Sequence, residues 1–365
     1  MITMSNQADT RQKSNMPRDT SFNADALVRD NVRRMKPYSS ARDEFSGEAD
    51  VFLDANENPY PSPFNRYPDP LQAAVKRALS PLKGVTPEQI FLGNGSDEAI
   101  DLLIRAFCEP NRDGIIITEP TYGMYAVCAN VNAVRIVSIT LDEHFDLDLS
   151  KFPSLNDPTL KIIFLCSPNN PSANLLNRAR ITQLLEEFQG LVVVDEAYID
   201  FTAEPSFTSE LSTYPNLVIL QTFSKAWGLA GLRLGMCFAS KDIIAILNKI
   251  KYPYNVNIRT QELALEALSN KDQKDRWVKE ILKERARLID ALQGLAITLK
   301  IFPSEANFVL VRVSDAHGIY KQLMNLGIIV RDRSNVKLCD NCLRITVGTP
   351  RENDKLIEVL KQIRQ

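Results

Sequence analysis

The sequence predicts an α/β protein of two domains, the larger built on a mostly parallel sheet flanked by helices and the smaller an α+β unit. Three observations carry this reading. The 365 residues are 44% hydrophobic and 24% charged, an ordinary globular balance with apolar material for one large core and one smaller one. From Leu71 onward, helix-like and strand-like segments alternate. Beyond Lys241, longer helical patterns take over and lead into a second group of strands.

Residues 1–25 are polar and nearly free of aromatics, so they cannot bury enough surface to offset chain entropy and are expected as a mobile tail. Residues 26–66 form an N-terminal segment. A proline-rich stretch from Lys36 to Pro70, with LDANENPYPSP and RYPDP, should run extended over a surface, because proline forbids long helices. The large domain is expected over 67–270. There QAAVKRAL, QIFLGNG, DEAIDLLIRAF, GIIIT, TYGMYAVCAN, AVRIVSI, KIIFLC, ITQLLEEF, LVVVDEAY and NLVILQTFSK follow in turn. The β-branched runs bounded by turn signals suit buried strands, and their alternation with helices argues parallel pairing through crossovers. Residues 271–365 are expected as the small domain, with a connecting helix over 275–293 and the strands ITLKIF, NFVLVRV, GIIVRDR and CLRITVG.

Charge and composition narrow the function. Forty-three basic against forty-five acidic residues leave no electrostatic footprint for nucleic acid or an anionic membrane, so small molecules are the expected partners. No run approaches the roughly 18 apolar residues of a membrane span, and no secretory apolar region opens the chain; a cytoplasmic protein is expected. The six cysteines are scattered and read mostly as small hydrophobes. Cys339 and Cys342, in CDNC, lack two further ligands at zinc spacing and are read as flanking a hairpin turn at Asp340 and Asn341, so no metal is expected. His144 and His317 are read as surface residues, and Trp227 and Trp277 as packing residues.

Chemistry concentrates at three places: SPNNP at 167–171, DEAY at 195–198 and TFSKAWGLAGLRLG at 222–235. Each ends a predicted strand, and ligand sites in open parallel sheets collect at carboxyl strand ends, so the three should converge. Lys225, beside Ser224 and small residues, can hold an aldehyde cofactor as a Schiff base once its ammonium is partly desolvated. Asp195 is placed to keep a pyridine nitrogen protonated, as the electron-sink role of such a ring requires. Tyr198 and Asn170 can hydrogen-bond the ring's phenolic oxygen. A phosphate needs backbone donors at a helix start and a cation; Gly95, Ser96 and Asp97 in GNGSDEAIDLL supply the first, Arg233 and Ser224 the rest. Singly, a lysine is a solvated side chain, DEAY a helix cap and GNGS a turn; their joint occurrence in this order points to pyridoxal 5′-phosphate.

These residues, with LDANENPY, RYPDP, PTYGMY, CSPNNPSANLL, VVDEAYIDF and LRITVGT, resemble the fold type I, class II pyridoxal-phosphate-dependent aminotransferases over nearly all of residues 30–365. More narrowly, they look like those of the histidinol-phosphate aminotransferases. The resemblance implies a large domain with a seven-stranded sheet, Lys225 as catalytic lysine and proton shuttle, Tyr122 against the cofactor ring, and Thr222 in the cofactor site. It also implies a homodimer with shared sites. Tyr67 would reach the cofactor phosphate of the neighbouring subunit, and the segment 26–66 would pack with the small domain and the dimer partner. Arg344 and Arg331 would take the substrate anion, and Tyr38 and Asn56 would close over the substrate. One departure is Ser172-Ala173, where many relatives have Thr-Gly after NNP; alanine tolerates a left-handed backbone less well, so a different loop path is expected.

The expected reaction is transamination of L-histidinol phosphate with 2-oxoglutarate. The two amino donors share an anion near the amine, which one fork-shaped guanidinium can serve. The rivals are an aromatic amino acid transaminase or a phospho-amino-acid decarboxylase on the same scaffold, and, remotely, a non-catalytic cofactor-binding regulator.

Overall fold

The computed structural model describes residues 22–38 and 50–363. The tail expected over 1–25 therefore lies, up to residue 21, outside the described residues. Residues 24–27 are already helical, with Ala24 buried, so the ordered chain begins inside the segment expected to be mobile.

The large sheet has seven strands: β1 (Ile90–Asn94), β2 (Gly114–Glu119), β3 (Arg135–Thr140), β4 (Leu160–Cys166), β5 (Leu191–Asp195), β6 (Leu217–Thr222) and β7 (Leu234–Ala239), in the order β1-β7-β6-β5-β4-β2-β3. All neighbours are parallel except β7, which runs antiparallel to both β1 and β6. The near-continuous apolar runs follow from burial on both faces. Ile163, Leu165, Val192, Val194 and Ile219 enter one core. The alternate residues Ile162, Phe164, Val193, Val218 and Leu220 enter the other, against the helix Ser96–Phe107.

The 23-residue helix Lys271–Gln293, roughly 34 Å long at about 1.5 Å per residue, leads to the second unit. There β8 (Thr298–Ile301), β9 (Phe308–Val313), β10 (Arg331–Asp332) and β11 (Cys342–Thr346) form an antiparallel sheet in the order β10-β11-β9-β8. Its core joins Val309, Val311 and Ile345 to Leu288 and Leu292 of the long helix and Leu356 and Leu360 of the last one.

The described start of the N-terminal segment touches the large unit. Its described contacts are with the large unit: Arg29 donates to Glu109 and to the Arg105 carbonyl, and Lys249 donates to the Arg33 carbonyl at 2.9 Å. These bonds tie residues 29–33 to the large domain.

Candidate active site

A cavity of about 740 Å³ lies where the carboxyl ends of the large sheet's strands meet the small unit. Gly95, Ser96, Asp97, Tyr122, Asn170, Asp195, Tyr198, Thr222, Ser224, Lys225 and Arg233 all line it, joined by Arg331 and Arg344. The convergence expected of three strand ends is what the parallel topology produces.

Asp195 closes β5 and is buried. Tyr125 donates its hydroxyl proton to Asp195 Oδ2 at 2.6 Å and the Ala197 N–H donates to Oδ1 at 3.1 Å. Burial raises the carboxyl to about 6 from its ordinary 3.8, and these two hydrogen bonds work in the other direction. Glu196, next in the chain, turns to the opposite side, where Ser206, the Phe207 N–H and Gln221 satisfy it. Burial pushes the Lys225 ammonium down from its usual range and Arg344 adds to this, while Asp195 opposes. Its Nζ lies 5.4 Å from the centre of the Tyr198 ring.

At the other end of the cavity wall stands a helix start. Gly95 caps the helix Ser96–Phe107 at φ 75°. Its N–H donates to the Arg233 carbonyl at 2.7 Å, and Arg233 itself lies in the left-handed region at φ 53°. A Cβ at Gly235 would come within 2.1 Å of the Ser96 nitrogen, so close backbone approach requires glycine there, whereas at Gly95 the positive φ is what favours glycine, a Cβ meeting the Arg233 guanidinium at 2.8 Å. Arg233 pairs with Asp97 at 3.6 Å, and Tyr122 donates to Asp97 at 3.0 Å. Thr222 Oγ1 accepts from the Ser224 N–H at 3.0 Å, fixing the turn that presents Lys225.

From the small unit, Arg344 Nη1 donates to Asn170 Oδ1, and its guanidinium sits 5.3 Å from the centre of the Phe308 ring. Burial lowers the Arg344 pKa, followed by the nearby positive charge of Arg333. In register, Arg331 stands opposite Arg344 across the β10–β11 ladder.

Three expected residues are elsewhere in their own chain. Tyr38 is exposed beside Lys249 and Lys251, because the bonds tying residues 29–33 to the large domain direct it there. Asn56 is off the cavity wall, at φ 54°. Tyr67 stacks on Tyr254, with centroids 4.3 Å apart. Ala173 also corrects expectation: it is buried at φ +69°, so the loop takes the left-handed turn with alanine, at a cost of about 1–2 kcal/mol. Asn169, donating to Pro120 O and Ser172 Oγ, and the Glu305 N–H, donating to Ala173 O, hold it there.

Sequence reasoning missed Tyr125 and Arg333. Tyr125 reads as one more packing residue of a helical pattern. Arg333 had a signal: period-two alternation puts Arg331 and Arg333 on one side of the strand and Asp332 on the other. The Cys339–Cys342 turn is present, with Cys342 N–H donating to Cys339 O at 3.0 Å, and both thiols are free and buried. Among the described residues, no cluster of three metal-ligating side chains occurs and no helix is long and apolar enough to cross a membrane.

Residues 49–360 match the family of class I and II aminotransferases. The histidinol-phosphate aminotransferase of Parabacteroides distasonis is 58% identical over 338 residues, covering 93% of this chain and 98% of the relative. Among solved structures, the histidinol-phosphate aminotransferase of Clostridium acetobutylicum superposes with a TM-score of 0.76 at 28% identity, covering 82% of this chain and 90% of that one. The L-threonine-O-3-phosphate decarboxylase of Porphyromonas gingivalis gives 0.71 at 26% identity, covering 81% and 90%. The chain belongs to the class I and II aminotransferases, and within them to the histidinol-phosphate aminotransferases.

Proposed function

We propose that this chain uses pyridoxal 5′-phosphate to move the amino group of L-histidinol phosphate to 2-oxoglutarate, giving imidazole acetol phosphate and L-glutamate, as a cytoplasmic homodimer. The observation that carries the reading is the meeting of Lys225, Asp195, the Gly95–Ser96 helix start and Arg344 on one cavity.

The donor set fits the cofactor. Asp195 is a buried carboxylate whose charge burial disfavours, so a pyridinium cation is the partner it lacks within the chain. The helix start with Arg233 suits a phosphate, and a Cβ at Gly95 would intrude on that cradle. When bound, the cofactor supplies an electrophilic carbonyl and an electron-withdrawing ring. Lys225, its ammonium made easier to deprotonate by burial, would hold the cofactor through Nζ and, once the donor's own amine has displaced it, would accept at Nζ the proton leaving the donor's α-carbon. Asp195 would accept the hydrogen bond of the protonated ring nitrogen, Tyr122 would pack on the ring, and Tyr198 and Asn170 would donate to its phenolic oxygen. Arg344 binds the anion that the two donors share, carboxylate or phosphate, through its planar fork.

Val51, Leu53, Tyr60 and Phe64 are exposed around Tyr67, an apolar surface suited to a second copy of the chain. On this reading the partner's Tyr67 completes the phosphate site. Sedimentation as a single chain at micromolar concentration would remove the dimer.

The test is a half-reaction screen: amino donors are added singly to the cofactor-loaded protein and the cofactor absorbance is followed. L-histidinol phosphate and L-glutamate should each convert one cofactor per site. Release of carbon dioxide instead favours the decarboxylase reading, which the shared fold with the Porphyromonas enzyme supports. Lys225→Ala should fold normally and lose at least 90% of turnover; a smaller loss refutes the lysine's role.

A further inference from the structure

Arg331 and Arg333 stand two residues apart, and both line the cavity beside Arg344. The Arg333 N–H donates to the Cys342 carbonyl at 2.8 Å, which continues the β10–β11 pairing by one residue and keeps the alternation of sides. Asp332, on the other side, accepts from the Ser334 hydroxyl at 2.6 Å and lies 3.2 Å from His317 Nδ1. One side of this hairpin thus presents three guanidinium groups to the cavity.

Among the described residues, no carboxylate of the cavity lining pairs with them. The carboxylates lining the cavity among the described residues are Asp97 and Asp195; the first is engaged by Tyr122 and Arg233 and the second by Tyr125. The Nε of Arg333 is buried and without a hydrogen-bond partner. An unpaired buried donor within a cluster of like charges is unfavourable in isolation and favourable once an anion arrives.

We propose that Arg333 is a specificity-determining residue that, with Arg331 and Arg344, selects a phosphate dianion over a carboxylate on the amino donor. The inference rests on the donor reading above and deepens it. The α-carboxylate of glutamate is served by the fork of Arg344 alone, and its γ-carboxylate brings a single charge and two acceptor oxygens. A phosphate carries about 1.5–2 negative charges at neutral pH and three acceptor oxygens, which further guanidinium donors can engage.

The experiment uses the cofactor-loaded wild type, Arg333→Gln and Arg333→Lys. Apparent dissociation constants come from half-reaction titrations with L-histidinol phosphate and with L-glutamate. The Gln variant should weaken the phosphorylated donor by about 10- to 100-fold and glutamate by less than about threefold, with Lys recovering part of the loss. Calorimetric titration with inorganic phosphate at pH 5.5 and 7.5 supplies an independent readout. The wild type should bind more tightly as inorganic phosphate loses its second proton between the two pH values, and Arg333→Gln should lose most of that gain. Equal weakening of both donors, or unchanged phosphate binding, overturns the proposal. A wild type that accepts glutamate but not L-histidinol phosphate overturns the substrate reading instead; the inorganic phosphate titration then decides the role of Arg333 on its own.

Discussion

Asp195 ionises against its surroundings, and the consequence is measurable in the cofactor-free protein. Its folded pKa of about 6 is above the ordinary 3.8, so its favourable contribution is full below pH 3.8 and is lost as pH rises through 6. Asp195→Asn cannot ionise. Its stability relative to wild type should therefore rise by about 2 kcal/mol between pH 4 and pH 7, most of the effect of a shift of about two pKa units. Denaturation midpoints of the two apoproteins would show this, and parallel pH profiles would count against a raised pKa. Tyr125→Phe removes the 2.6 Å hydrogen bond and leaves a buried carboxylate oxygen short of a donor. It should destabilise the protein by about 1–3 kcal/mol and raise the Asp195 pKa further. An unchanged cofactor affinity at pH 6 would mean that Tyr125 only packs. At this scale Lys225 and Asp195 were legible because each followed a readable strand. Tyr125 was not, because its partner lies 70 residues away and its own segment looks like any amphipathic helix.

Secondary-structure elements place these residues through backbone proximity. Gly235 on β7 pairs with Gly93 and Thr222 and lies against the nitrogen of Ser96. Because the atoms a Cβ would strike are backbone, Gly235→Ala must push β7 and the helix Ser96–Phe107 apart. A loss of about 1–3 kcal/mol is expected, with weaker cofactor binding because the helix start moves. Thermal denaturation and cofactor titration together check this; wild-type behaviour in both would show that the junction is pliable. The parallel strands were readable from their β-branched runs. LGMCFA, which becomes β7, was hidden because it overlaps the lysine motif and carries a glycine, a methionine and a cysteine where a strand pattern expects β-branched residues. The short helix at 24–27 overlaps the tail that polarity argued for, the one at 30–34 lies ahead of the proline-rich stretch and was not foreseen, and only Ala24, Val28 and Val32 bury themselves there.

For the whole molecule, a mostly parallel sheet and a smaller α+β unit were legible in the pattern; the antiparallel pairing of the smaller sheet was not. Nor was the seating of the N-terminal segment, since Arg29–Glu109 and Lys249–Arg33 are long-range contacts with no local signal. The place of β7 in the strand order bears on how this chain emerges from the ribosome. β1 is held in the sheet by β7 alone, and residue 239 is synthesised some 145 residues after Asn94. Until then the edge at β6 stays open, and the helix Ser96–Phe107 lacks the strand that packs beneath its first turn. The nascent chain thus carries a sticky, incomplete sheet through much of its translation, and completion of the cofactor cradle coincides with the closing of that gap.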